Sequence, residues 1–161
     1  MSDDFENLKQ MGIGEGFHND LCQMLEKVQL LQDFDRGDIE ALAQYCSAHI
    51  APEGVTIFKE GEKSHFMCLL VKGRINILKE QKHVVTIRAG KSMGEMSILD
   101  GFPYSATAVS ALDSELILFT RRKFDRLCQN DPPLALKLNK AISKLMSLRL
   151  RQTTGILLDY L

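Results

Sequence analysis

The chain has 161 residues, 45% of them hydrophobic, and a formal net charge of −1. That is enough apolar material for one domain with a real core, and too little net charge for a global field that recruits nucleic acid or an anionic membrane. No apolar run approaches a membrane span and the acidic N-terminus is unlike a signal peptide, so the sequence reads as a cytoplasmic protein with no membrane partner.

Residues 3–11 predict a short helix, and the alternating glycines of residues 12–16 predict a hinge, because a nucleotide loop would need a strand before it. Phe17, Leu21, Met24, Val28 and Leu31 then recur at spacings of four and three, the apolar face of one helix. Asp35 and Asp38 form a capping-box pattern that opens a second helix carrying Ile39, Leu42, Ala43 and Cys46. From residue 50 to about 119 the period changes. Short apolar segments at 55–59, 66–71, 75–79, 84–88, 106–111 and 116–120 are split by turns such as Lys72-Gly73-Arg74 and Glu80-Gln81-Lys82. These gaps are too short for crossover helices, so the strands predict an antiparallel sandwich or jelly roll.

The helical period returns at Arg121. Phe124, Leu127 and Cys128 mark a short helix ended by Asn130-Asp131-Pro132-Pro133, and a long helix is expected from there to about Gln152, with Gly155 as its stop. The fold class is therefore α+β, with helices before and after one jelly roll. Cys22, Cys46, Cys68 and Cys128 are widely spaced with no C-x-x-C pair, which predicts buried free thiols rather than disulfides or a zinc site.

Several ordered landmarks resemble the cyclic-nucleotide-binding family over roughly residues 30–150. They are Gly54 followed by Ile57-Phe58-Lys59-Glu60-Gly61-Glu62, then residues 67–75 (MCLLVKGRI), then residues 94–107 (GEMSILDGFPYSAT), then the two closing helices. The third landmark is similar to the phosphate-binding cassette of catabolite activators and protein-kinase-A regulatory subunits. The resemblance implies a double-stranded β-helix with N-terminal helices and a long C-terminal helix. It divides the chain into an N-terminal helical extension (1–32), the binding-like domain with its C-terminal helix (33–152), and an apolar tail (153–161).

The resemblance also implies a ligand site at Gly94, Glu95, Met96, Ser97, Tyr104, Ser105 and Ala106. In the family the glutamate takes a ribose hydroxyl, which assigns that role to Glu95, and backbone N–H groups near Ser105 and Ala106 complete a phosphate cradle. Tyr104 stands where the family has the arginine that pairs with the cyclic phosphate. A guanidinium offers a planar bidentate fork, while a phenol offers one hydroxyl and no charge at neutral pH. A charged hydrogen bond is worth about 1.5–3 kcal/mol, so losing the pair weakens phosphate binding by roughly 100-fold or more. Lys91, four residues before Glu95, is a candidate auxiliary cation. Three readings stay open: a cyclic-nucleotide receptor, a receptor for a less anionic metabolite, or a remnant whose pocket Tyr104 fills.

Leu134, Leu138, Ile142 and Leu145 form one stripe of the long helix, expected to pair with its copy in a homodimer. The same helix carries Lys137, Lys140, Lys144, Arg149 and Arg151, expected to form a solvated face. About ten residues follow the helix, too few for the two-helix DNA-reading unit of related regulators, so no DNA binding is expected from this chain alone. His18, His49, His65 and His83 are dispersed, which argues against a metal centre, and Ser97 has no histidine partner to activate it. The reading is a non-enzymatic regulatory module without a cofactor, acting on a separate effector, with cyclic AMP or cyclic GMP as a doubtful ligand.

Overall fold

The computed structural model describes residues 6–160. Among the described residues nine strands form two sheets that close on each other as a jelly roll, with helices layered outside one of them. The first sheet runs β1 (Lys9–Gln10), β2 (Ser47–Ala51), β9 (Ser114–Thr120), β4 (Phe66–Lys72), β7 (Ser92–Met93). The second runs β3 (Thr56–Phe58), β8 (Thr107–Ser110), β5 (Arg74–Lys79), β6 (Lys82–Arg88). Every pairing is antiparallel.

The continuous apolar runs of β4 and β9 follow from burial on both faces. Met67, Leu69, Val71, Ile117 and Phe119 meet the helices, while Phe66, Cys68, Leu70, Leu116 and Leu118 fill the inside of the roll. The helical layer is α1 (Glu15–Glu26), a 3-10 turn (Gln29–Leu31), α2 (Arg36–Ala43), α4 (Arg121–Asn130) and α5 (Pro132–Leu158). The Asp35–Asp38 capping box is present, with each carboxylate accepting from the other residue's N–H. Thr120 caps α4, and Asp131 with Pro132 opens α5.

Four expectations are corrected. Lys9–Gln10 is a strand on the edge of β2, not part of a helix: an uncapped short helix is marginal, and the strand edge offers it partners; residues 3–5 lie outside the described residues. Cys128 is exposed, because α4 buries only Leu127 and the next residue points about 100° away; the other three cysteines are buried. Gly155 does not stop α5, which continues to Leu158 with its last apolar residues exposed. Leu134, Leu138 and Ile142 are 4, 2 and 0% exposed within the chain's own core, and Leu145 is half-buried. A helix this apolar covers its own domain first, so that stripe is not a dimer face.

Candidate functional site

The cassette sits between β7 and β8 and contains α3 (Met96–Leu99). Gly94 turns the chain there with φ +74, a conformation that costs a glycine little, and a Cβ at this point would lie 3.2 Å from the Phe66 carbonyl. The short helix is held from behind. Ser97 Oγ lies 2.9 Å from the Phe66 carbonyl and 2.6 Å from that of Gly94, so its one proton is committed to backbone. Arg121, at the start of α4, donates from Nε and Nη2 to the Ser97 carbonyl at 2.9 and 2.6 Å, and from Nη2 to Ser64 Oγ at 3.1 Å.

A cavity of about 290 Å³ opens in front of the cassette, and Gly94, Glu95, Met96, Ser97, Tyr104, Ser105 and Ala106 all line it. Phe58, Ile77, Val85, Ile87, Met93 and Phe102 make its apolar walls. Its size and lining are those of a small-molecule site, apolar with a few converging polar groups. Among the described residues the N–H groups of Ser105 and Ala106 have no hydrogen-bond partner, so both donors are available.

Tyr104 is 7% exposed, and its hydroxyl is bound to the backbone at the start of β4. It donates to the Phe66 carbonyl at 2.9 Å and accepts from the N–H groups of Phe66 at 3.2 Å and His65 at 3.3 Å. The phenol thus caps the edge of β4 beyond the point where the two-residue β7 ends. Its ring stacks on Phe58 with centroids 4.2 Å apart and planes at 12°. Burial pushes the phenol up to about 12, only partly offset by the two N–H donors. Tyr104 therefore forms part of the wall, and a cavity persists beside it.

The charge in the cavity comes from elsewhere. Glu95 is 3% exposed and accepts from Ser92 Oγ and from Arg149 Nη1, the latter at 2.9 Å. The other arm of the Arg149 fork donates to the Ser92 carbonyl at 2.8 Å. Among the described residues lining the cavity, Arg149 is the sole cation. Lys91 is not among them: it is exposed, and its Nζ donates to Gln29 Oε1 at 2.5 Å on the outside of the roll. A strand alternates faces, so the lysine beside inward-facing Ser92 turns outward. The signal for Arg149 was available. It follows Leu138, Ile142 and Leu145 at i+4, i+7 and i+11, so it continues the core-facing stripe as the one charged residue on it.

Among the described residues no cluster of His, Cys, Asp or Glu could hold a metal ion, and no helix is long and apolar enough to cross a membrane. Burial pushes the Cys68 thiol well above its ordinary value, with the Glu95 carboxylate adding to the shift, so it is an inert part of the core inside the roll.

The family model described as the cyclic nucleotide-binding domain matches residues 49–131. A lysophospholipase of Chaetomium globosum is 31% identical over 98 residues, which are 58% of this chain and 6% of that protein. A cyclic nucleotide-gated potassium channel of Rhizobium etli is 28% identical over 118 residues, 73% of this chain and 33% of that one. The chain thus spans a third or less of the length of these two relatives. Among solved structures, a cyclic nucleotide-binding domain from Methylobacillus flagellatus aligns over 98% of this chain and 91% of its own with a TM-score of 0.82 and 24% identity. The matched region runs from within β2 to the end of α4 and contains the whole cassette, and with the jelly roll and the closing helices around it, the chain belongs to the cyclic nucleotide-binding domain family.

Proposed function

We propose that this chain is a non-enzymatic regulatory module whose cassette binds cyclic AMP and cyclic GMP weakly or not at all, and whose cavity is read by α5. The observation that carries the reading is the Tyr104 hydroxyl, spent on the backbone of β4 where a receptor of this family would offer a guanidinium to the phosphate. The Ser105 and Ala106 N–H groups remain for an anion, but neutral donors alone do not replace a bidentate charged pair. Glu95 accepts from both Ser92 and Arg149 at Oε1, so a ligand hydroxyl that draws on that oxygen competes with a residue of α5, whereas one bound at Oε2 does not. Occupancy then shifts α5 by as much as the ligand prefers the released helix. The signal would pass to a separate effector protein.

Calorimetry of the full chain with each cyclic nucleotide at up to millimolar concentration tests this. Little or no heat is expected at micromolar ligand, and micromolar affinity would sink the degenerate-cassette reading. The variant Tyr104→Arg restores the fork and is expected to tighten binding by tenfold or more; an unchanged isotherm would mean the cradle itself is unfit. The reading also retains association between copies through α5, now assigned to its exposed face at Leu136, Leu150 and Leu157. A monomeric mass at high concentration removes that part alone.

A further inference from the structure

Four strands lie at the edges of the two sheets, and three of them are too short to pair with anything else. β1 and β7 have two residues each and β3 has three, while β6 has seven. Short edges are one of the ways folds avoid unwanted strand addition, so β6 is the exception in this molecule. It bonds to β5 on one side, and its other side carries no strand among the described residues. Val84 and Val85 are 61% and 46% exposed, which is unusual for β-branched residues in the middle of a strand.

The charge of this edge is one-sided. The β5–β6 hairpin carries Arg74, Lys79, Lys82 and Arg88 against the single acidic residue Glu80, giving +3 over residues 74–88 with His83 neutral. Lys79 is held by Glu60, while Lys82 and Arg88, at the two ends of β6, have no carboxylate partner among the described residues. This pattern argues against a second copy as the occupant. Antiparallel pairing of two β6 strands about Val85 sets Lys82 of one opposite Arg88 of the other, and parallel pairing sets like on like; both are destabilising. An extended segment with acidic residues at its ends meets the opposite situation at both positions.

We propose that the open edge of β6 docks an extended acidic peptide segment of a partner protein by strand addition. Main-chain hydrogen bonds supply the affinity in this mode, and side-chain alternation and charge supply the choice of partner. Val85 and Ile87 also line the cavity, so the docked strand would extend a wall of the ligand site. The proposal does not depend on what the cavity binds.

The test uses the full, isotopically labelled chain and a blocked synthetic peptide of alternating glutamate and valine. Amide resonances of residues 82–88 are expected to shift, and alternate amides in β6 to gain protection from exchange. Two probes separate strand addition from simple adsorption: the same peptide N-methylated on alternate residues, and a lysine–valine counterpart. Neither should bind. The double variant Lys82→Glu with Arg88→Glu, both exposed, is expected to weaken the acidic peptide by about tenfold and to admit the basic one. The proposal is overturned by unshifted β6 amides at millimolar peptide, by shifts centred on α5, or by equal binding of the methylated peptide.

Discussion

The two ends of the cavity have solved the same problem in opposite ways. At the cassette end, position 104 holds a phenol whose ring lies on Phe58 and whose hydroxyl closes the edge of β4. At the α5 end, a guanidinium reaches in from a helix 27 residues long and pairs with the carboxylate that the cassette presents. The cavity's cation sits on α5 rather than in the cassette loop, and beyond Ile142 that helix is largely exposed. The lesson concerns coupling. On the proposed reading, a cation on α5 ties occupancy of the site to the position of the helix.

The sharpest way to break this comparison is at Tyr104. If the residue is wall rather than ligand contact, Tyr104→Ala removes a stacked, buried ring and should cost about 3–5 kcal/mol of stability in urea unfolding. A ligand-facing side chain would cost far less. Alkaline titration gives an independent reading. The folded phenol stands at about 12 against an ordinary 10.0, so the fold favours the neutral form. Its stabilising contribution is present in full below pH 10 and is lost as pH rises through 12. The wild-type chain should therefore lose its stability advantage over Tyr104→Phe across that window, followed by urea midpoints.

A smaller effect is expected at the other end. Arg149→Ala removes two charge-assisted hydrogen bonds, but the arginine side chain is 39% exposed and water screens the pair, so about 1–3 kcal/mol is the expected loss. The more informative readout is local. Hydrogen exchange should rise across residues 143–158 and stay unchanged in β4 and β9, because among the described residues Arg149 is the polar tie between distal α5 and the roll. Arg149→Lys, keeping the charge without the fork, should fall between the two.

Much of this arrangement was legible in the sequence, for reasons that lie in particular residues. β4 and β9 announced themselves because burial on two faces makes an uninterrupted apolar run, and Asp35–Asp38 and Asp131-Pro132 mark helix starts through chemistry that acts locally. β1, β2 and β7 were not read as strands: Lys9–Gln10 and Ser92–Met93 have two residues each, and Ser47–Ala51 takes its conformation from β9 rather than from its own propensity. The cassette residues follow from the family resemblance, and they line one cavity. The site's cation does not follow from it, since Glu95 and Arg149 are 54 residues apart and only the fold brings them together. The stripe on α5 predicts a dimer seam in the sequence but is buried in the chain's own core, because periodicity marks a buried face without saying what buries it.

Lys91 offers the smallest effect and the cleanest discrimination between the two cations. Lys91 is the nearest cation to Glu95 in sequence, while the structure puts its ammonium on Gln29, away from the residues that line the cavity. Lys91→Ala removes one exposed hydrogen bond, and such surface changes are usually within about 0.5 kcal/mol. Stability, exchange in α5 and the response to cyclic nucleotides should all match the parent chain. A change in ligand response with unchanged stability would return Lys91 to the site and end the claim that α5 supplies the charge. An unchanged response, set beside a loosened α5 in Arg149→Ala, would assign that charge to the helix by experiment rather than by geometry alone.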